Sequence, residues 1–454
     1  MKVLHTSDWH LGAMLHNEDR KEEHRQFLSW LLETIKAECI DVLIVSGDIF
    51  DVYAPSAAAQ KLYYDFLAGI IKTGNEPEVF IIAGNHDSPH FLGAPSDILS
   101  KLKIHVIYAV DTEKSENLVF RINDDSGRAA LTVCAIPFLR EKDLKITAEA
   151  LRPDAAVPGA GPSKFNAPGP YAPSLDGSDS LSTLYNRAAA AFYHRVYNIA
   201  KTKNTPVLMT GHFYLDGSQK SDDYSERTRE VGNLQGLPAG LLPDADYYAL
   251  GHLHRSQAIN NKEHIRYSGS PLPMSFGEAG DTKYVVIATF DPASVETKPV
   301  IQLKEIPVWQ ELRQISGSPE EILKEFRQVK TSGKKVWIEI RVTEYSGNLY
   351  DFWNALERET VFAAPVELPL TGTELPIDPP YKILVRQDMR AQRNTDDWRD
   401  SDDSGDLSSL DPAAVFQKFM REQKITAEHA EAFMKMFNEL YNDVVVNENG
   451  EMDI

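Results

Sequence analysis

Val42-Leu-Ile-Val-Ser-Gly-Asp-Ile-Phe-Asp51 carries the information that decides the fold. A short apolar run closed by a glycine is the pattern of a strand buried on both faces, and a carboxylate, Asp48, follows at once. The same order recurs along the chain. Val3-Leu-His-Thr6 precedes Asp8-Trp-His10, and Phe80-Ile-Ile-Ala83 precedes Gly84-Asn85-His86-Asp87. Val207-Leu-Met-Thr210 precedes Gly211-His212, and Tyr247-Tyr-Ala-Leu250 precedes Gly251-His252-Leu-His254. Between the early strands lie helical spacings, first Phe27, Leu28, Leu31, Leu32 and Ile35, then Leu62, Tyr63, Phe66, Leu67, Ile70 and Ile71. Strand alternating with helix predicts an α/β core, which Leu131–Ile136 and Tyr284–Phe290 extend.

In an open α/β sheet, ligands collect beyond the carboxyl ends of the strands, so five separate segments can converge there. Residues two apart in extended backbone point the same way. Asp8 with His10, and His252 with His254, are therefore expected to offer paired side chains, with Asn85 and His86 facing opposite ways. Glycines before Asp48, Asn85, His212 and His252 permit tight turns. The candidate metal ligands are Asp8, His10, Asp48, Asn85, His212, His252 and His254. Carboxylate, amide oxygen and imidazole without thiolate suit Mn²⁺, Fe or Zn²⁺ better than Mg²⁺ or Ca²⁺. Seven ligands are too many for one ion and suit two ions that share a carboxylate, for which Asp48 is the choice. Isolated histidines such as His5, His24, His105 and His194 are expected to be ordinary hydrogen-bonded residues. Asp51 and Asp87 are expected to support the site by capping turns or holding a ligand histidine.

At 454 residues the chain exceeds one ordinary core and predicts two or three domains. No apolar run reaches a membrane span, and the N-terminus turns polar too early for a signal peptide. The two cysteines, Cys39 and Cys134, lie in apolar segments, which argues against a disulfide framework and fits a reducing, cytoplasmic compartment. Residues 152–179 read as a Pro/Gly-rich surface insertion. Beyond about residue 300 comes a small α+β pattern: a helix near 320–329, a strand at Val336–Val342 and a helix near 349–356. From Asp396 to Asp411 there are seven aspartates and one arginine, read as an acidic linker. Two amphipathic helices follow, whose apolar faces want a partner or pack back on the body. The net charge of −20 opposes binding of nucleic acid through a broad basic surface, although part of that charge is confined to the linker.

The ordered series Asp8-Trp-His10, Gly47-Asp48, Gly84-Asn85-His86-Asp87, Gly211-His212 and Gly251-His252-Leu-His254 resembles the calcineurin-like metallophosphoesterases. Leu4–Gly12, Gly47–Asp51 and Arg266–Glu278 narrow the resemblance to bacterial nuclease subunits of that family. It implies a layered α/β sheet core with helices outside at residues 1–280, a capping module at 281–380, an acidic linker at 381–410 and a C-terminal helical segment at 411–443. It further implies a Mn²⁺-dependent DNA nuclease, acting 3′ to 5′ on duplex ends and endonucleolytically on hairpins and single strands, with an ABC-type ATPase subunit bound by the terminal helices. Asp8, His10, Asp48 and His254 would hold one metal, and Asp48, Asn85, His212 and His252 the other. His86 would be catalytic, stabilising the transition state or protonating the leaving oxygen. A homodimer would be built on helices near 56–72 and 89–102. One departure stands out: some relatives carry a second catalytic histidine three residues after the bridging aspartate, where this chain has Asp51, so that role is not carried over. The rival readings are a phosphoesterase for small phosphodiesters and a DNA-end tethering scaffold.

Overall fold

The computed structural model describes residues 1–74, 76–124, 126–144, 181–218, 236–291, 297–345, 347–361 and 381–389, together with Met434. The 152–179 insertion, residues 390–410 of the expected 381–410 linker and the helical segment at 411–443 lie outside them, apart from Met434; the first part of that linker is not a linker, because Tyr381–Asp388 is a strand of the third sheet. The chain divides into a unit of Met1–Gln387 and a second of Asp388–Ile454.

Two six-stranded sheets form the body. The first runs Val300–Glu305, Tyr284–Thr289, Lys2–Thr6, Val42–Ser46, Glu78–Ile82, Ile104–Ile107. Its last four strands are parallel, and the first two are antiparallel additions. The second runs Gln257–Ile259, Lys262–Tyr267, Tyr247–Gly251, Val207–His212, Ala129–Cys134, Val119–Asn123, and the four strands from Lys262–Tyr267 to Ala129–Cys134 are parallel. Of the stretch 281–380, Tyr284–Thr289 and Val300–Glu305 are thus paired into the first sheet, and a separate three-stranded sheet begins at Glu311.

Alternation along each strand assigns the faces. Val42 and Ile44 join Leu131, Val133, Leu208 and Tyr248 in the core that includes both sheets. Leu43 and Val45 turn the other way, into the core with the helices Lys21–Ala37 and Ala57–Lys72. The helix Leu181–Lys201 contributes Ala189, Tyr193 and Val196 to the first of these cores. With both faces covered, the parallel strands have the near-continuous apolar sequences seen at Val42–Val45. Phe27, Leu31 and Ile35 on the first helix are fully buried, each contributing about 1.5–3 kcal/mol of apolar transfer.

The third sheet, Glu311–Gly317, Val336–Val342 and Tyr381–Asp388, packs with the helices Pro319–Ser332 and Leu349–Val361. Ser318 and Glu321 form a reciprocal capping box, Pro319 occupies the first turn, and Gly333 closes the helix at φ +66°, which explains why this helix has such definite ends. Two sequence expectations change. Cys39 is exposed at a left-handed turn after the first helix, whereas Cys134 is buried. The paired orientations of Asp8 and His10 do not come from extended backbone, because both residues lie beyond the strand with φ of +53° and +45°.

What fixes that turn is Trp9. Its indole Nε1 donates to Thr6 Oγ1 at 3.1 Å, its carbonyl accepts from His24 Nε2 at 3.1 Å, and its ring meets Phe27 and Phe66 edge-on. Trp9→Ala is expected to cost about 3–5 kcal/mol and to lower bound metal. Urea unfolding with metal counted on the folded protein checks both, and unchanged metal content would separate the turn from the site.

Candidate metal centre

The residues singled out from five segments converge beyond the carboxyl ends of five parallel strands. Asp8, His10 and His254 form one group whose donor atoms all lie within 4.8 Å of one another, and Asp8, Asp48 and His212 form another. A third contains His10, Asp51 and His86. Asn85 joins them through Oδ1, 3.0 Å from His212 Nε2 and 3.2 Å from His252 Nδ1. Asp48 Oδ2 lies 3.2 Å from His212 Nε2 and 3.7 Å from His10 Nε2, so this carboxylate reaches histidines of both candidate ligand sets.

Backbone conformation makes the convergence possible. Asp8, His10, Asp48 and His252 all have positive φ, a region that costs an L-residue about 1–2 kcal/mol. Two turns brace each other: Asp8 N–H donates to Gly47 O at 2.9 Å, His10 N–H to Asp48 O at 3.0 Å and Leu11 N–H to Ile49 O at 2.9 Å. The carboxylates tie in further loops. Asp8 accepts from His252 N–H at 2.9 Å, and Asp48 accepts from His86 N–H at 2.9 Å. Gly47 has φ +88°, and a Cβ there would sit 2.3 Å from His212 Nδ1; one on Gly84 would sit 2.1 Å from Asp48 Oδ1. Those two glycines are space requirements of the site.

Tautomers follow from partners that can only accept. His212 Nδ1 donates to Ser46 O at 2.8 Å, and His86 Nδ1 donates to Asp51 O at 2.7 Å, which leaves Nε2 of each facing other groups. Burial opposes a charged His212, but the carboxylates of Asp48 and Asp8 outweigh it and raise its pKa to about 9. Asp87 has the supporting place expected of it, accepting from the N–H groups of Gly84, Ile49 and Phe50. Burial and the neighbouring Asp48 raise its pKa to about 6 despite those bonds. Asp51 lies 3.4 Å from His10 Nδ1 through its carboxylate. His5, His24, His105 and His194 are each hydrogen-bonded away from the ligand groups.

The donor set fits divalent cations. His10 is fully buried, and with Asp51 beside Nδ1 its Nε2 has no hydrogen-bond partner among the described residues, an expensive arrangement unless something else occupies its lone pair. His254 is oriented by a residue that spacing did not flag. Its Nδ1 lies 3.2 Å from Glu278 Oε1, and Glu278 in turn pairs with the buried Lys283 ammonium. Burial would raise the Glu278 carboxyl, but Lys283 and His254 hold it far below the usual carboxylate range. Lys283 also donates to His254 O at 3.0 Å and Ser270 Oγ at 3.1 Å. Glu278 stands 24 positions from His254 and at the end of a short helical turn, so no local periodicity could have paired them.

Residues 1–256 match the calcineurin-like phosphoesterase family. The chain is 33% identical over 378 residues to the SbcD subunit of the nuclease SbcCD from Escherichia coli K12, covering 82% of this chain and 84% of that protein. The chain belongs to the SbcD group of the calcineurin-like phosphoesterases. The Bacillus subtilis protein of the same name is 34% identical over 324 residues, 70% of this chain and 71% of its own. Residues 308–424 match the family described as type 5 capsule protein repressor C-terminal domain. Membership makes this an enzyme of phosphoester chemistry that binds divalent metal. No described helix is long and apolar enough to cross a membrane.

Two outcomes are expected. Glu278→Gln should weaken metal binding about 10–100-fold, seen by calorimetric titration with Mn²⁺, and an unchanged affinity would remove Glu278 from the site. Because the His212 pKa is raised to about 9, a metal that takes Nε2 displaces a proton at neutral pH. Affinity should therefore rise with pH and level off above that value. Titrations at about pH 7.5 in buffers of different ionisation enthalpy should show release of about one proton per chain; no buffer dependence would contradict the assignment.

Proposed function

We propose that this chain is the nuclease subunit of an SbcCD-type complex, a Mn²⁺-dependent DNA exonuclease and hairpin endonuclease that works with an SbcC-type ABC ATPase in DNA end processing. The observation that carries the reading is the convergence of Asp8, His10, Asp48, Asn85, His212, His252 and His254 in a chain one third identical to a protein named as a nuclease subunit. Asp8, His10, Asp48 and His254 would hold one ion, and Asp48, Asn85, His212 and His252 the other. The position of Asp48 Oδ2 between His10 and His212 supports its role as the shared ligand. Fe or Zn²⁺ are chemically compatible alternatives.

Bound there, divalent ions supply activation of water and neutralise charge on the phosphate. The remaining work falls to the chain. Ser46 O and Glu278 fix the rings of His212 and His254, Asp8 and Asp48 clamp the His252 and His86 loops through backbone N–H groups, and Asp87 rigidifies the turn that carries His86. His86 is the catalytic residue. With Nδ1 committed to Asp51 O, it offers Nε2 to the reacting phosphodiester, where it stabilises the transition state or hands a proton to the leaving oxygen. Asp51 itself takes a supporting role beside His10 and His86.

We assign the expected 281–380 capping module to the sheet that begins at Glu311, with its two helices, whose third strand Tyr381–Asp388 runs past residue 380. Its Leu312 packs in one cluster with Leu15 and Phe276 of the nuclease body, and Lys382 pairs with Glu18 at 2.5 Å. ATPase binding is assigned to the terminal segment 411–443. Ile71, Ile98 and Leu102 are exposed apolar residues on or beside the helices Ala57–Lys72 and Ser96–Ser100, which supports a homodimer through that face. A partner subunit supplying basic surface reconciles the net charge of −20 with a polyanionic substrate. A cytoplasmic location suits such a substrate.

Cleavage of an end-labelled hairpin duplex in Mn²⁺ tests the proposal. Asp48→Ala and His86→Ala should each lower cutting by about 10²-fold or more, with bound metal falling in the first and remaining in the second. A native chain that hydrolyses small phosphodiesters but leaves the hairpin intact, even with its ATPase partner and ATP, would favour the small-substrate phosphoesterase instead.

A further inference from the structure

One cation at the rim of the metal centre pairs with no carboxylate among the described residues. Arg140 lies just after the strand Ala129–Cys134 and is half-buried. Its Nη2 donates to the Tyr53 hydroxyl at 3.2 Å and to the Asp87 carbonyl at 3.3 Å. The guanidinium carbon lies 5.8 Å from the centroid of the Phe138 ring. Among the described residues, Nε and Nη1 have no partner, although an arginine carries donors on all three nitrogens. In a chain of net charge −20 an available guanidinium beside the active site is conspicuous.

Its neighbours place it. Asp87 follows His86 in the chain, and Tyr53 is two residues beyond Asp51, whose carbonyl holds His86. Phe138 meets the His212 ring edge-on at 6.3 Å between centroids. Arg140 is therefore tied to both His86 and His212 but stands one side chain away from each, outside the ligand groups. Tyr53 is 55% exposed, so its hydroxyl is held while its ring faces solvent. The plain reading is a tether that fastens the Tyr53 loop to the Asp87 turn. It accounts for the two Nη2 bonds and leaves Nε, Nη1 and the exposed ring unexplained.

We propose that Arg140, Tyr53 and Phe138 form a nucleic-acid strand subsite beside the metal centre. The free Nη1 amino group of Arg140 takes a backbone phosphate neighbouring the one being cut, and the Tyr53 ring stacks on a base. Guanidinium suits phosphate oxygens because it is always charged and its donors are spread in a plane. Aromatic stacking grips any base, so the pair binds strand without reading sequence. Phe138 holds the guanidinium plane from below through its ring face. The inference rests on the nuclease reading and adds to it the contact that separates a polynucleotide from a small diester.

The test compares Arg140→Ala, Arg140→Lys and Tyr53→Ala with the native full-length chain in Mn²⁺, using a single-stranded oligonucleotide and bis-p-nitrophenyl phosphate, with bound metal counted throughout. For Arg140→Ala, the ratio of kcat/KM on DNA to that on the small diester should fall about 10–100-fold, chiefly through KM, with metal content retained. The slope of log KM for DNA against log salt should lessen by about one. Arg140→Lys should restore part of the loss, and Tyr53→Ala should lower the ratio about fivefold or more. An unchanged ratio in Arg140→Ala, whether both substrates slow together or neither does, overturns the subsite while the nuclease reading stands. Loss of bound metal in Arg140→Ala likewise reduces it to a structural tether. A native chain that turns over the small diester but never cuts DNA overturns the nuclease reading, and the subsite falls with it.

Discussion

The site depends on a pair of turns that hold each other in an unfavourable conformation. Asp8, His10 and Asp48 are left-handed residues with full side chains, a conformation that costs each about 1–2 kcal/mol. What keeps them is the ladder from Asp8, His10 and Leu11 to Gly47, Asp48 and Ile49, which continues the parallel pairing of Lys2–Thr6 with Val42–Ser46 beyond the ends of both strands. Each turn is the other's hydrogen-bond partner, so neither can relax alone. Strain of this kind persists where the surroundings over-determine it, and it aims side chains that an extended strand would splay apart.

Charge comes next in the chain of causes. Two carboxylates and several imidazoles buried together would be unstable as a bare collection, and the fold answers unevenly. Asp48 stays ionised because His212 balances it against the cost of burial. Glu278 stays ionised because Lys283 lies against it within the interior. His252, by contrast, is pressed toward the neutral form, first by burial and then by His212, with a pKa lowered to about 3. A neutral imidazole with a free nitrogen and an ionised carboxylate are the forms that a cation binds. The protein therefore holds Asp48 and His252 in the forms a cation binds before any ion arrives, whereas His212 gives up a proton on binding.

Much of this was legible in the sequence, and the limits have physical reasons. Buried parallel strands announce themselves because both faces are apolar, as at Val42–Val45, and the first helix because its apolar positions keep a helical period. The five polar segments were legible as one site because each follows such a strand. The means of convergence was not: alternation along an extended strand brings Asp8 and His10 to one side on paper, whereas left-handed turns do so in the molecule. Pairings between distant segments were equally hidden. Glu278 with His254, and Arg140 with Tyr53 and Asp87, are set by tertiary packing, and no spacing rule encodes them. Trp9 could be read only as the residue between two ligands, yet its indole anchors them.

The short turn Phe276–Glu278 links two parts of the molecule that the sequence presents separately. Phe276 packs in the cluster of Leu15 and Leu312 and stacks on His16, joining the third sheet to the body. Two residues later Glu278 fixes the ring of His254. Packing is close and side chains sit in discrete rotamers, so displacing Phe276 cannot leave Glu278 where it was: a three-residue turn has little slack to absorb the motion. The orientation of one metal-site histidine is thus mechanically bound to the seating of the module that begins at Glu311.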